Sequence, residues 1–284
     1  VGDYNQLPAV GPGNILKDML DSGLIPAVEL TDIFRQARES DIVLNAHAIN
    51  RGEMPKISGK TGDYFFIPGG DNINDLVSGL AAQRLPKAYG VNPFEDIKIL
   101  TPSRKRNGGT GNINRVMQGV LNPPAEDKPQ IVFNGITFRL GDKVMQVRNN
   151  YDFEYTRDKG ETDMGVFNGD IGKIVSVDKR NKVLKIKFDD KTYAYTAEFF
   201  NQIEHAWAIT VHKSQGSEFN TVILCLNDTP KELQYRNLLY TAFTRAKKLL
   251  VVVGKYEILE QMVKNDRKHL RYSGIKHFLQ EYNG

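Results

Sequence analysis

Cysteine is almost absent from this sequence. Its one cysteine, Cys225, lies in the apolar run TVILCL, so the chain cannot form an internal disulfide and a reducing, cytoplasmic location fits best. Because the flanking residues are apolar and uncharged, we expect a buried and unreactive thiol. The small secreted domains that depend on disulfides are therefore excluded.

Long hydrophobic runs and a strong charge of one sign are also lacking. No apolar stretch approaches the length of a membrane span and no signal-peptide pattern is found, so no membrane partner is predicted. The 38 basic and 34 acidic side chains give a net charge of +4, which permits nucleic-acid binding without requiring it. The 5 histidines do not have the spacing of metal ligands, so the sequence predicts no metal site within the chain.

The chain contains segments with two different patterns of hydrophobic residues. Residues 1–131 and 203–284 combine helical periodicity with buried apolar strands such as IKILTPS and TVILCL, which is typical of an α/β fold with a parallel sheet. Residues from about 132 to 200 show short alternating strands separated by turn residues, which predicts a small antiparallel barrel or sandwich. These strands are IVFNGITFR, DKVMQVRN, GDIGKIVSVD, KVLKIKFD and KTYAYT.

Helices are predicted from apolar residues at helical spacing. They cover a short amphipathic stretch around 15–20, then 39–51 with Thr31 or Asp32 as its cap, 72–85, 112–121, 232–246 and two stretches near the end. Six aromatic residues are predicted mostly to fill the core of the β region, with one or two free to stack on bases. They are Phe133, Phe138, Tyr151, Phe153, Tyr155 and Phe167.

Four short motifs carry residue types that suit phosphate chemistry. Gln6 in GDYNQLP can aim an amide at a phosphate or water, and Arg35 in FRQ can reach a phosphate with its planar guanidinium. In TVHKSQGSEF, hydroxyls and amides can hold a nucleic-acid phosphate and Glu218 can accept from a ribose hydroxyl. Arg245 in YTAFTRAKK can stabilise charge on a transferring phosphate. Taken singly, the first motif is better explained as an ordinary turn and the second as a surface ion pair. For the fourth, a cation favoured by a helix C-terminus is compatible with the phosphate role.

The order of the motifs is more specific than any one of them. GDxxQLP, FRQ, TPSRKR, GDKVM, FNGDIG, TVHKSQGSEF and YTAFTRAKK together resemble the RecD-like group of superfamily 1 helicases, over nearly the whole chain. The resemblance implies a RecA-like parallel-sheet motor domain with an inserted small all-β barrel of the Src-homology-3 type. It also implies a 5′-to-3′ DNA helicase that uses ATP and Mg²⁺ in recombination and double-strand break repair. Single-stranded DNA is the implied partner, and further subunits of a helicase–nuclease complex are left open.

The resemblance assigns both boundaries and roles. It implies that residues 1–28 end a first motor domain, 29–131 and 203–284 form a second, and 132–202 form the inserted barrel. The implied γ-phosphate contacts are Gln6, Arg35 and Arg245, and the implied nucleotide contacts are Gly216 and Glu218. The DNA-binding candidates, which include cations of the basic stretch 98–115, are Thr101, Ser103, Arg104, Lys105, Thr210, His212 and Lys213.

A phosphate-binding loop, which such helicases need, is missing from this sequence. The nearest pattern, Gly59-Lys60-Thr61, lacks the earlier glycine and the preceding strand, so we do not interpret it as one. Because the first residues resemble a strand end, we expect a piece of a longer protein, one that by itself does not hydrolyse ATP. Two alternatives stay open: a non-catalytic module that binds single-stranded DNA or a partner protein, and the helicase part of a conjugative relaxase.

Overall fold

The computed structural model describes residues 2–8, 11, 13–29, 39–57, 62–266 and 274–282. The chain divides into two compact units, one formed by Val1–Gly70 with Gln215–Gly284 and the other by Asp71–Ser214. Within the described ranges, no helix has the length and apolar character needed to cross a membrane.

The described residues form the following helices and strands, most of which the sequence patterns predict. The helices are α1 (Ile15–Ser22), α2 (Asp41–Asn50), α3 (Ile73–Gly79), α4 (Leu85–Tyr89), α5 (Thr110–Leu121), α6 (Arg236–Phe243), α7 (Tyr256–Lys264) and α8 (Ile275–Tyr282). The strands are β1 (Tyr64–Pro68), β2 (Ile97–Thr101), β3 (Gln130–Phe133), β4 (Ile136–Arg139), β5 (Lys143–Gln146), β6 (Asn150–Arg157), β7 (Thr162–Val166), β8 (Ile171–Asp178), β9 (Val183–Phe188), β10 (Lys191–Thr196), β11 (Ile203–His205), β12 (Ala208–Thr210), β13 (Phe219–Leu226) and β14 (Ala246–Gly254).

The first unit is built on parallel strands in the order β1, β14, β13. Strands β13 and β14 carry the apolar runs TVILCL and LLVVV, and both runs are buried throughout, as expected of strands covered on both faces. Cys225 lies in this core, where burial raises the pKa of its thiol to about 12. The prediction of a buried cysteine is confirmed.

Helix α2 is capped by a residue that the sequence analysis did not select. The Ser40 hydroxyl accepts the Val43 N–H at 3.3 Å and donates to Asp63 at 2.5 Å. The predicted cap, Thr31 or Asp32, was therefore wrong, because the helix begins only at Asp41.

Helix α6 is shorter at both ends than the predicted 232–246. Tyr235 has extended backbone angles, so the preceding turn at Lys231–Leu233 does not continue into the helix. At the other end Ala246 already pairs with Phe219 in the parallel sheet. Arg245 consequently lies between a helix and a strand rather than within the helix.

The second unit combines two parallel strands with a larger antiparallel sheet. Strands β2 and β12 run side by side, with Ala208 opposite Ile99 and Thr210 opposite Thr101. The helix predicted over 72–85 continues to Tyr89 through a π-helical turn at Leu80–Arg84. The turn brings the Leu85 N–H to the Leu80 carbonyl, just before Pro86, which has no N–H to donate.

The antiparallel sheet has the strand order β11, β5, β8, β9, β10, β6, β7, and β3 and β4 form a separate hairpin. Register shifts in β6 and β8 mark irregularities that bend such a sheet. The β6–β7 hairpin was not among the predicted strands, although Phe153 and Tyr155 alternate with charged and polar residues along β6 as in a half-buried strand. The β structure extends from Gln130 to His205, and the boundaries 132–202 stay a prediction.

Aromatic side chains fill the core of this β region, as predicted. Phe138, Phe153 and Tyr155 are buried in it, and Phe133 packs against it. The remaining pair points outward: Tyr151 and Phe167 are exposed and meet edge to face with their ring centroids 5.9 Å apart.

A buried carboxylate joins α5 to the β region. Asp142, the aspartate of the GDKVM motif, accepts hydrogen bonds from Gln118 at 2.6 Å, from Asn122 at 2.7 Å and from the Arg139 N–H at 2.7 Å. His205 lies 3.1 Å from the same carboxylate. Because Asp142 is fully buried, removing it would take one acceptor away from each of these donors and would destabilise the junction.

Candidate functional site

The GDYNQLP loop is held against α6 within the first unit. The Leu7 N–H donates to the Thr241 hydroxyl at 2.7 Å, and the Asn237 amide donates to the Asn5 carbonyl at 2.8 Å. From the motif that ends in Phe219, Gln215 donates to the Leu7 carbonyl at 2.8 Å. Three distant sequence motifs therefore meet at one point of the fold.

Two of the predicted γ-phosphate contacts touch each other at this point. The Gln6 carbonyl oxygen Oε1 accepts a hydrogen bond from Nη2 of Arg245 at 2.8 Å, although the residues are 239 positions apart. The Gln6 amide nitrogen Nε2 donates to Asp3 at 3.1 Å. The structure thus brings Gln6 and Arg245 into one cluster.

Arg245 is buried, with 5% of its surface exposed. Its Nε donates to the Thr241 carbonyl at 3.1 Å and its Nη1 to the Ser217 carbonyl at 2.9 Å. Burial lowers the pKa of the guanidinium, while the charges of Glu218 and Asp3 oppose that shift. A delocalised cation held out of water is well suited to stabilising charge on a phosphate, because its interactions are weakly screened there.

Gly216 and Glu218, the predicted nucleotide contacts, lie in the loop before β13. Gly216 has a φ of +78°, which favours glycine. The Glu218 side chain is 54% exposed and lies 3.2 Å from Lys247. Its carboxylate is therefore accessible to a hydroxyl donor such as a ribose.

Arg35 and the Gly59-Lys60-Thr61 pattern lie outside the described residues. In the part of the chain that the structure describes, no group of three or more His, Cys, Asp or Glu side chains is placed to hold a metal ion.

In the second unit, two predicted DNA contacts stand side by side. Thr101 and Thr210 end the parallel strands β2 and β12 and are paired in register. The Thr101 hydroxyl accepts the Ser103 N–H at 3.4 Å, and the Thr210 hydroxyl accepts the Lys213 N–H at 3.3 Å. Both hydroxyls are buried and fix the start of the loop that follows each strand.

The basic loop after β2 folds back onto the first turn of α5. The Ser103 and Arg104 carbonyls accept the N–H groups of Thr110 and Gly111 at 3.1 and 3.0 Å. A Cβ on Gly109 would come within 2.8 Å of the Arg106 carbonyl, so the tight turn requires glycine there. The fold leaves the side chains of Arg104, Lys105 and Arg106 exposed to solvent.

Three family profiles match the chain. They are the AAA domain over residues 1–70, the SH3 domain of ATP-dependent RecD-like DNA helicases over residues 113–188, and the UvrD-like helicase C-terminal domain over residues 205–253. The ATP-dependent RecD2 DNA helicase of Deinococcus radiodurans is 32% identical over 251 residues, which cover 87% of this chain and 31% of that protein. The chain belongs to the RecD-like helicases of superfamily 1.

Other members of the group cover the chain more fully. The RecD subunit of the RecBCD enzyme from Mycobacterium tuberculosis is 26% identical over 295 residues, covering 99% of this chain and 48% of that protein. The RecD-like chain therefore spans between about a third and a half of the length of these relatives.

A solved structure shares the fold of this RecD-like chain. The crystal structure of the Pif1 helicase from Bacteroides in complex with ADP-AlF3 and single-stranded DNA aligns with a TM-score of 0.51 at 20% identity, over 99% of this chain and 66% of that chain. With the SH3 profile, this likeness confirms the predicted RecA-like α/β fold with an inserted β domain.

One residue at the predicted DNA site of the RecD-like chain was missed by sequence reasoning. Glu204 forms ion pairs with both Arg104 and Lys213, the latter at 2.9 Å. Burial alone would raise the pKa of Glu204, but the hydrogen bonds and charges of Lys213 and Arg104 outweigh it and hold the pKa below its ordinary value. Glu204 lies outside every motif, so only the fold shows that it neutralises two DNA-binding candidates.

Proposed function

We propose that this chain is part of an ATP-dependent DNA helicase that moves 5′ to 3′ along single-stranded DNA in the cytoplasm. Membership of the RecD-like group supports this proposal, since relatives are named as an ATP-dependent DNA helicase and as a subunit of the RecBCD enzyme. We further propose a role in recombination and double-strand break repair, with other subunits as partners.

The observation that carries the proposal is the hydrogen bond between Gln6 and Arg245. Two motifs at opposite ends of the chain place a neutral donor and acceptor beside a buried cation. A transferring γ-phosphoryl group develops charge on its oxygens, and positioned donors stabilise that charge. In our proposal Gln6, Arg35 and Arg245 contact the γ-phosphate, and Gly216 and Glu218 hold the rest of the nucleotide.

The residues that the structure describes fit ATP but supply no Mg²⁺ site. Arg245 and the Gln6 amide are donors of the kind that phosphate oxygens need. The described residues contain no clustered metal ligands, so we assign no Mg²⁺ ligand to this chain and expect the ion to be bound by other parts of the full-length protein.

The proposed DNA contacts are grouped around the ends of β2 and β12. The exposed cations suit the phosphates of single-stranded DNA, which a translocating protein must grip and release without reading sequence. The buried Thr101 and Thr210 hold the loops that carry these cations. The proposed contacts are Thr101, Ser103, Arg104, Lys105, Thr210, His212 and Lys213.

The test compares ATP hydrolysis by the full-length protein and by this chain alone, each with and without single-stranded DNA. We expect DNA-stimulated turnover by the full-length protein and none by the chain, because a phosphate-binding loop is missing from its sequence. Full-length protein that binds single-stranded DNA without hydrolysing ATP would support the non-catalytic module instead.

Any ATP hydrolysis by this chain alone can be tested with the variant Lys60→Ala. If Lys60→Ala abolished that turnover, the Gly59-Lys60-Thr61 pattern would be a working phosphate loop and our interpretation of it would be wrong.

A further inference from the structure

Asp3 occupies the centre of the cluster that contains Gln6 and Arg245. One of its carboxylate oxygens accepts the Gln6 amide at 3.1 Å and the Tyr240 hydroxyl at 3.0 Å. The other accepts the backbone N–H of Asn5 at 2.9 Å. One short side chain thereby connects the loop to α6, the helix that leads into Arg245.

The chemistry of these partners determines which way the Gln6 amide faces. An ionised carboxylate can only accept hydrogen bonds, so Gln6 must turn its NH₂ group towards Asp3. An arginine can only donate, so Gln6 must turn its carbonyl oxygen towards Arg245. Gln6 is thus held between an acceptor and a donor, and the reversed amide would lose both hydrogen bonds.

The Tyr240 hydroxyl strengthens this arrangement. Burial and the neighbouring Asp3 charge both raise the pKa of Tyr240, so the phenol stays protonated and donates to Asp3. The Asp3 carboxylate also opposes the effect of burial on the pKa of Arg245, but a guanidinium stays charged in proteins without such help. The effect of Asp3 on the proposed γ-phosphate contacts therefore runs through the orientation of the Gln6 amide.

We propose that Asp3 is a positioning residue of the GDYNQLP loop, which acts through Gln6 by fixing the orientation of its amide towards Arg245. This inference rests on the proposed function. It assigns Asp3 no contact with the nucleotide and predicts that its effect on turnover disappears when Gln6 is absent.

The kinetic test uses the full-length protein and the variants Asp3→Asn, Gln6→Ala and their combination. Asparagine has the same shape as aspartate, but it replaces one carboxylate oxygen with an NH₂ group that cannot accept a hydrogen bond. The Gln6 amide is then no longer held in one orientation. Because a hydrogen bond to a charged group contributes about 1.5–3 kcal/mol, kcat should fall by about tenfold or more. The KM for ATP and the affinity for single-stranded DNA should change by less than about twofold, and Asp3→Asn should cause no further loss beside Gln6→Ala.

Asp21→Asn is the matched control, because it makes the same chemical change on an exposed position of α1. It should leave kcat unchanged. An unaltered kcat in Asp3→Asn, or losses from Asp3→Asn and Gln6→Ala that multiply in the combined variant, would overturn the positioning role.

A second test depends on thermal unfolding and not on turnover. Gln6→Glu sets two carboxylates against each other and should lower the Tm of the full-length protein. Adding Asp3→Asn should recover part of that loss, because the new NH₂ group can donate to Glu at position 6 while the glutamate still accepts from Arg245. A combined variant no more stable than Gln6→Glu would overturn the inference. Absence of ATP turnover in the wild type would overturn only the proposed function.

Discussion

The candidate phosphate site around Arg245 and the candidate DNA site around Thr101 and Thr210 differ in whether their cations are buried or exposed. Around Arg245 the guanidinium is buried and its N–H groups are directed at the Thr241 and Ser217 carbonyls and at Gln6. Around Thr101 and Thr210 the hydroxyls are buried, but the cations Arg104 and Lys105 are exposed.

This difference matches two different tasks. A cation that stabilises developing charge acts most strongly where water is excluded and the donors are fixed in advance. Cations that grip a DNA backbone must release it at every step, and solvent-exposed contacts are weak and sensitive to salt. The comparison predicts that variants of the first site change catalytic rate, whereas variants of the second change DNA affinity.

The largest effect is expected from Arg245→Ala in the full-length protein. An arginine finger contributes about a thousandfold or more to phosphoryl transfer, so ATP turnover should nearly vanish while single-stranded DNA still binds. Arg245→Lys should restore little, because an ammonium cannot reproduce the planar contact. Lys248→Ala, an exposed cation three positions later, is the control and should keep its rate.

The burial of Arg245 changes the loss of stability that is expected from Arg245→Ala. The neighbouring cations of YTAFTRAKK suggest that losing one charge costs little stability. The structure shows four acceptors that would lose their donor, so Arg245→Ala should also destabilise the protein by about 2 kcal/mol. Thermal unfolding measures this loss, and rates should be compared on the folded fraction. Normal turnover by that fraction would show that Arg245 is purely structural.

A smaller effect is expected when both threonine hydroxyls at the strand ends are removed. Thr101→Val with Thr210→Val keeps the side-chain shape but leaves the Ser103 and Lys213 N–H groups without these acceptors. At about 1 kcal/mol for each hydrogen bond, the two loops should lose about 2 kcal/mol of stability. Because binding must then restore the order of these loops, the affinity for single-stranded DNA should fall about tenfold. Fluorescence anisotropy measures the change, and Thr192→Val in β10 is the control. A loss of kcat with unchanged affinity would contradict the division between the sites.

The exposed cations should show a weaker, salt-dependent effect. Arg104→Ala and Lys105→Ala should each reduce affinity severalfold and lower the slope of log affinity against log salt by about 0.7, the value for one phosphate of a single strand. Titrations at several salt concentrations measure both quantities. An unchanged slope of log affinity against log salt would show that Arg104 and Lys105 do not contact DNA phosphates.

The smallest effect, and one of opposite sign, is expected from Glu204→Gln. The substitution removes the carboxylate that pairs with Arg104 and Lys213, so both cations become available to phosphate. Since a partly exposed ion pair contributes up to about 1 kcal/mol, affinity for single-stranded DNA should rise about two- to fivefold. Weaker binding would show that Glu204 orders the two cations for DNA instead of competing for them.

Much of the fold was predictable because its signals are local. The apolar runs of β13 and β14 and the helical spacing of α5 depend only on neighbouring residues, and the structure confirms them. The errors occur where contacts with residues distant in the sequence determine the local structure. Ser40 caps α2 in contact with Asp63, and β14 begins at Ala246 because Phe219 pairs with it. The β6–β7 hairpin was missed although β6 alternates buried and exposed residues, and its register shift between Asn150 and Glu154 depends on pairing that no local pattern shows.

By itself the sequence determined the α/β class, the inserted β region and the motifs whose order identifies a RecD-like chain. It pointed to Gln6, Arg245 and Thr210 because an amide, a guanidinium and a hydroxyl are groups that bind phosphate, and to Thr101 through the resemblance to the family. Only the tertiary structure decided that Gln6 and Arg245 touch and that Asp3 orients the amide between them. Hydrogen bonds act over about 3 Å, and the chain path that brings residues 239 positions apart within that range is set by packing of the whole core.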